Sequence, residues 1–595
     1  MDVSIFTAKY LKKNNPLIFK IIARSQDIEE LRSLLIDFTF AVEQQAVEEA
    51  GSDDASLLAR IRDCGFSFRT ILKKGSEQAA GFSILQVLWD IGHDIPRPEL
   101  SPAFFADLLY MLLGMQGQGI RKAPDAIHLT AVESSGRKAA VKRSRQLDNL
   151  WTEVDRRMSA YPSGLDEQAV RRRQGRKEKI LSVLGGSLEN WHDWRWQISH
   201  IVRDLATLEK MVKLSASQRS ALKAAKENRL PFGITPHYLS LMDDEIGSKR
   251  DAAIRAQVLP PMSYVKEIAA VEDVSCLDFM GEEDTSPFDL VTRRYPAICI
   301  LKPYNTCPQI CVYCQRNWEI DDVMASGAFA GMEKIDAAIQ WISDHPAIHE
   351  VLITGGDPLA MGNEALAAIL ERVAAIPTVE RIRIGSRTLV TMPMRITEGL
   401  AALISQYREP GKREVAIMTH VQHPYEVTPD TVAAVNKFRL RGIPVYNQLV
   451  YTYYASKRFE AAALRRLLRL IGIDPYYTFN TKGKDETLAY RTPIARLLQE
   501  QQEEARLLPG LARTDEAVFN VPRQGKSYLR AREYRNFLTI LPDGARVYEF
   551  HSWEKKVSQD TSTFITTDVP ILHYLERLSK DGESVSDYET IWHYF

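Results

Sequence analysis

Cysteine is scarce in this sequence, with six in 595 residues. So few thiols make no disulfide scaffold, and reduced cysteines are expected. Long apolar runs are also missing: the most apolar stretch, around Phe105 to Met115, is far shorter than the ~20 residues that span a bilayer. No membrane span is expected. The opening residues reach Lys12 and Lys13 without a long apolar core, so they do not read as a secretory signal, and a cytoplasmic protein is expected. A surplus of one charge is missing as well. Lys plus Arg number 76 against 77 for Asp plus Glu, so nothing in the bulk electrostatics favours nucleic acid or an anionic membrane as partner. What is present is an ordinary globular balance, 45% hydrophobic and 26% charged, in a chain long enough for several domains.

Residues 1 to about 180 carry long mixed stretches such as Asp27 to Glu49 and Glu99 to Leu113, which predict a mostly helical region. The cluster Gly114, Gly117, Gly119 before Arg121 and Lys122 lacks both a leading strand and the phosphate-loop spacing, so it reads as a helix-ending loop. The basic run Arg171, Arg172, Arg173, Arg176, Lys177, Lys179 reads as a solvated helix face or linker. From about Pro296 the pattern changes to βα alternation. Strands are expected near 296–302, 349–354, 380–386, 414–420, 443–450 and 475–480, with helices near 334–344, 363–375, 397–408, 429–441, 458–471 and 492–507. Leu464, Leu467, Leu468 and Ile471 repeat at helical spacing before a Gly472 stop, and Thr428-Pro429 supplies an N-cap and first-turn proline. Such an α/β array makes either a doubly wound sheet or a partial barrel. Both bind ligands at the C-terminal ends of the strands.

The first of these strands runs into Cys307-Pro308-Gln309-Ile310-Cys311-Val312-Tyr313-Cys314. Three of six cysteines within eight positions point to one shared purpose. Soft thiolates select zinc or iron–sulfur clusters. The remaining cysteines, Cys64, Cys276 and Cys299, lie outside the motif, so a four-thiolate zinc site is not evident. A cubane held by three cysteines keeps one iron open to a small molecule.

This Cys-x3-Cys-x2-Cys loop resembles that of radical S-adenosylmethionine (SAM) enzymes, in which SAM chelates the open iron of a 4Fe-4S cluster. The resemblance implies a partial TIM-like barrel of six βα units. Gly355-Gly356-Asp357 after the second strand resembles the family's glycine-rich turn beside the SAM amino group. Further stretches are similar to the lysine 2,3-aminomutase family, which also uses pyridoxal 5′-phosphate (PLP): Asp193–Gln197, Gly233–Tyr238, Arg294–Pro296, Arg383–Arg387, His423–Glu426, Asn447-Gln448 and Arg491–Pro493. The likeness covers roughly residues 190 to 555. It suggests a helical extension of unknown role at 1–185, a helical family segment at 186–290, the barrel with its PLP site at 291–555, and a tail at 556–595.

Residue by residue, the resemblance implies Cys307, Cys311 and Cys314 as cluster ligands, and Gly355, Gly356 and Asp357 around SAM. Lys526 matches the lysine that attaches PLP, although most of the family's neighbouring glycines are lost. Arg294 and Tyr295 match PLP-phosphate contacts, while a third falls on Ile298. Arg316 matches the arginine that clamps the substrate's α-carboxylate. Lysine-specific members recognise the far ammonium with two aspartates; here those positions fall on Lys482 and Asn520. That pair resembles glutamate 2,3-aminomutases and suits a γ-carboxylate. A register slip of three would present Asp485 instead. His420 and His423 match family positions and are read equally as site-lining or structural.

The implied activity is an isomerase's, moving an amino acid's α-amino group to the β-carbon, with L-glutamate to β-glutamate as the expected reaction. Lysine 2,3-aminomutation of free or protein-linked lysine is the alternative, and a non-catalytic barrel-containing binding protein is one of another class. An electron donor such as flavodoxin or ferredoxin and a homo-oligomer are implied as partners. The family's zinc site has no counterpart, since no cysteine follows Cys314.

Overall fold

The computed structural model of the chain describes residues 3–49, 55–119, 135–244, 246–481, 484–553 and 563–595. Lys482, Arg121 and Lys122 lie outside the described residues. Two compact units emerge, the larger made of Met158–Arg491 and Leu508–Lys526, the smaller of Met1–Arg157, Thr492–Leu507 and Ser527–Phe595. Among the described residues no helix is long and apolar enough to cross a membrane.

The larger unit is built on a mixed, mostly parallel sheet of nine strands whose spatial order follows the chain. They are β1 (Val291–Thr292), β2 (Ile298–Tyr304), β3 (Glu350–Gly355), β4 (Arg381–Gly385), β5 (Glu414–Thr419), β6 (Val445–Tyr451), β7 (Ile473–Asn480), β8 (Glu516–Val521) and β9 (Gly525–Tyr528). β1 is antiparallel to β2, and β2 through β8 pair in parallel. The six expected strands are β2 to β7. Parallel neighbours need crossovers, and helices Met332–Ser343, Asn363–Ala375, Glu398–Ser405, Pro429–Arg439 and Glu460–Leu470 supply them.

Period-two alternation decides which face of the sheet is covered. Val351, Ile353, Ile382 and Ile384 have no exposed surface, and the helices answer with Ile335, Leu366, Ile369, Leu400 and Phe438. Burying each such side chain contributes about 1.5–3 kcal/mol. Local signals set the helix ends. Thr428 Oγ1 accepts from Thr431 N at 3.1 Å with Pro429 in the first turn, and Gly472 takes φ +86° just past Leu470. The basic run lies on helix Glu167–Leu184 and is only partly solvated. Arg173 pairs inward with Asp430 at 2.7 Å, and the buried Arg176 lies 3.0 Å from Asp244.

The smaller unit packs helices such as Ala55–Ile71, Pro102–Met115 and Ile494–Glu503 with an antiparallel sheet of β10 (Arg535–Ile540), β11 (Arg546–Phe550) and β12 (Phe564–Thr567). Helix Pro102–Met115 ends before Gly117, whose φ of +69° fits the helix-ending loop read from the glycine cluster. At the unit's centre the buried Arg546 clasps the buried Asp107 through two hydrogen bonds of 2.8 and 2.7 Å.

Candidate active site

The site forms where β2 and β3 end. β2 delivers the cysteine loop, and Gly356 N donates to Tyr304 O at 2.8 Å while Asp357 N donates to Thr306 O at 2.9 Å, stitching the glycine turn to that loop. Both glycines are required there. Gly355 sits at φ +110°, a region side chains disfavour, and a Cβ on Gly356 would fall onto the Thr306 backbone carbonyl. Asp357 is buried, and both its oxygens are taken: Oδ1 accepts from Ser386 Oγ at 2.7 Å and Leu359 N at 3.1 Å, Oδ2 from Arg387 N and Thr388 Oγ1 at 2.9 Å. It therefore braces the end of β3 against the end of β4. Burial raises its carboxyl above the usual range, and these donors oppose that shift.

Cys307, Cys311 and Cys314 are half-buried. Among the described residues no three His, Cys, Asp or Glu side chains converge on a single ion. A cubane asks for a different arrangement, since each cysteine takes its own corner iron. Burial, then Asp357 and the other two thiols, push Cys307 well above its ordinary value, and burial likewise raises Cys311. Three thiols gathered on one loop suit a metal cluster, whose charge would stabilise their thiolates. Cys311 Sγ already accepts a 2.8 Å hydrogen bond from Arg387 Nη1. The same guanidinium gives Nη2 to Glu426 Oε1 at 2.6 Å and Nε to His420 O at 3.1 Å. Tyr238 OH donates to Glu426 Oε1 at 2.7 Å. Three of the stretches that carried the resemblance thus meet in one buried network. Sequence reasoning gave Arg387 and Glu426 no role, and the only signal was an arginine closing the turn after a buried strand.

Close by in sequence, a second cluster gathers cations around one acid. Arg316 Nε lies 3.1 and 2.9 Å from the two oxygens of Glu282, and Nη2 lies 2.7 Å from Oε1. Lys302 Nζ is 3.1 Å from Glu282 Oε1, and Arg294 Nη2 is 3.7 Å from Oε2. Burial works against the Glu282 charge, but Arg316, Lys302 and Arg294 hold its carboxyl down at about 2. Arg294 Nε donates to Thr285 Oγ1 at 3.1 Å, whereas its buried Nη2 has no hydrogen-bond partner among the described residues. An orphaned buried guanidinium N–H fits an anion such as phosphate. Ile298, the departing phosphate position, is half-buried on β2.

Tyr295 joins this cluster to Lys526, whose Nζ donates to the Tyr295 hydroxyl at 3.2 Å and lies 4.8 Å from the Tyr295 ring and 5.2 Å from that of Tyr477. Gly525, at φ +111°, allows the approach: a Cβ there would sit 2.6 Å from the Tyr295 oxygen. Asn520 is half-buried on β8. Asp485 is exposed, and Glu486 is buried against Lys484 at 2.6 Å. His423 serves the fold, its Nδ1 accepting from Tyr425 N at 3.0 Å and its Nε2 lying 3.2 Å from Glu460. His420 lies beside Arg387 with Nδ1 2.9 Å from Gln448 O, and burial lowers it to about 4, so it is neutral.

No protein-family model matches the chain. A protein of Methanocaldococcus jannaschii, described as an uncharacterised KamA family protein, is 40% identical over 605 aligned positions, covering 98% of this chain and 96% of the relative. Glutamate 2,3-aminomutase of Clostridioides difficile is 32% identical over 385 positions, 64% of this chain and 85% of the relative. L-lysine 2,3-aminomutase of Fusobacterium nucleatum is 32% identical over 314 positions, 52% of this chain and 69% of the relative.

Proposed function

The chain belongs to the KamA family, and from that premise we propose that it is an amino acid 2,3-aminomutase of the radical SAM class, converting L-glutamate to β-glutamate. In this reading β2 to β7 with their helices form a partial (βα)6 barrel. Cys307, Cys311 and Cys314 hold a 4Fe-4S cluster, Gly355 and Gly356 give SAM backbone access beside it, and Lys526, Arg294 and Tyr295 hold PLP. When bound, the cluster with SAM supplies a carbon radical able to remove hydrogen, and PLP supplies the carrier of the migrating nitrogen.

The chain's own residues bind and orient. Arg316, two positions after Cys314, clamps the α-carboxylate and so brings the β-carbon beside the cluster. Lys526 keeps its amine near a phenol hydroxyl that can hold or return a proton. Arg387, held by Glu426, braces the cysteine loop at Cys311. Lys482 and Asn520 receive the far carboxylate. The pairing of the buried Glu486 with Lys484 supports that reading, since this acid already has its cation.

The observation that carries the reading is the stitching of the cysteine loop to the Gly355-Gly356 turn, with Arg316 at the loop's end. Anaerobic incubation of the reconstituted protein with PLP, SAM, reductant and doubly labelled 15N,13C-glutamate, and in parallel with lysine labelled likewise, tests it. Product in which the original nitrogen is bonded to the β-carbon is expected. No rearranged product from glutamate or from lysine would overturn the assignment.

A further inference from the structure

Glu282 belongs to an acidic run, Gly281-Glu282-Glu283-Asp284, and by sequence alone it looks like a surface residue. In the structure it is buried at 3% exposure, and among the described residues it is the one carboxylate that pairs with both arginines of the cation cluster. Its hold on each is one-sided. On Arg316 it takes the edge formed by Nε and Nη2, and Nη1 makes no hydrogen bond among the described residues. On Arg294 it lies 3.7 Å from Nη2, while Thr285 takes Nε and the buried Nη2 keeps an unused N–H. Lys302 completes the grip from β2 at 3.1 Å.

We propose that Glu282 is a positioning residue which fixes Arg316 and Arg294 together, leaving each guanidinium with a donor still unused, so that the substrate's carboxylate and the cofactor's phosphate are gripped by one rigid unit. The inference rests on the reading of Arg316 and Arg294 given above and adds the residue that couples them. A guanidinium has two separate donor edges, and a carboxylate anchored on one leaves the other free to bind a second anion in a set orientation. Long arginine side chains otherwise carry large rotamer freedom, which each ligand would have to remove on binding. Because both arginines share the same acid, its loss frees both at once, and both ligands must then bear that ordering cost.

Charge and position give opposite signs here. Removing a negative charge beside two anion sites should tighten anion binding if Glu282 only balances charge. If it positions, the same change weakens both ligands. The test uses the full chain with Glu282→Gln and Glu282→Asp, titrated with PLP by absorbance, and the PLP-loaded forms titrated with L-glutamate and L-lysine by calorimetry. Glu282→Gln is expected to weaken PLP and the bound amino acid by about tenfold each, as for loss of one charge-assisted contact. It should do so while keeping the wild-type iron content after reconstitution. Glu282→Asp keeps the charge, falls one methylene short, and is expected to weaken both to a smaller degree. It decides the matter alone if the glutamine variant does not fold. Affinities equal to or better than wild type in the variant that folds would overturn the inference. Weakening of one ligand with the other unchanged would overturn the coupling. Wild-type protein that binds neither PLP nor an amino acid would overturn the functional reading as well.

Discussion

Arg387 Nη1 lies 2.8 Å from the sulfur of Cys311, joining the turn after β4 to the middle of the cysteine loop. A donor aimed at a thiolate stabilises its negative charge. In an iron–sulfur centre such donors raise the reduction potential, because the reduced cluster is the more negative state. Arg387→Met is therefore expected to lower the potential of the reconstituted cluster, read by a redox titration followed by electron paramagnetic resonance. An unchanged potential would show that Arg387 serves packing alone.

Gly356 is held against the Thr306 backbone, which has no flexible end to move aside. Gly356→Ala is expected to destabilise the larger unit by about 1–3 kcal/mol, as overpacking does, and to lower iron incorporation. Gly362, where an added Cβ meets nothing, is the control: Gly362→Ala should load iron normally.

In the smaller unit the clasp of Asp107 and Arg546 is fully buried. Asp107→Ala leaves that guanidinium without its carboxylate, and a loss of about 3–5 kcal/mol in the urea unfolding of this unit is expected.

His237 is fully buried, and neither ring nitrogen has a hydrogen-bond partner among the described residues. Burial lowers it to about 3. The unfolded chain takes up a proton near pH 6.5 and the folded chain does not, so stability falls as pH drops from about 6.5 towards 3. His237→Phe should flatten that part of the profile. Parallel urea midpoints for both proteins at pH 7 and pH 5 would contradict this.

The framework was largely legible in the sequence. Strands β2 to β6 fall within two residues of expectation at either end because β-branched runs alternate with capped helices. β7 agrees as closely, beginning two residues early at Ile473 and ending at Asn480 as expected, and its parallel ladder with β6 shifts register between Asn447 and Gln448. The cysteine loop and the Gly-Gly turn were legible as local motifs. Glu282, Lys302 and Arg387 were not. Their partners lie 34, 20 and 76 positions away, and only the folded sheet makes a residue of an acidic run the partner of a loop arginine. The basic run was half legible: nothing local distinguishes Arg173 and Arg176, which pair inward, from the exposed Arg171.

One competition decides between a carboxylate and an ammonium at the far end of the substrate. Reconstituted protein with PLP, SAM and reductant is offered equal L-glutamate and L-lysine without oxygen, and the products are resolved by NMR. β-Glutamate with no β-lysine is expected. β-Lysine as the main product would overturn the glutamate assignment and would place an acid, rather than Lys482 and Asn520, against the substrate's end.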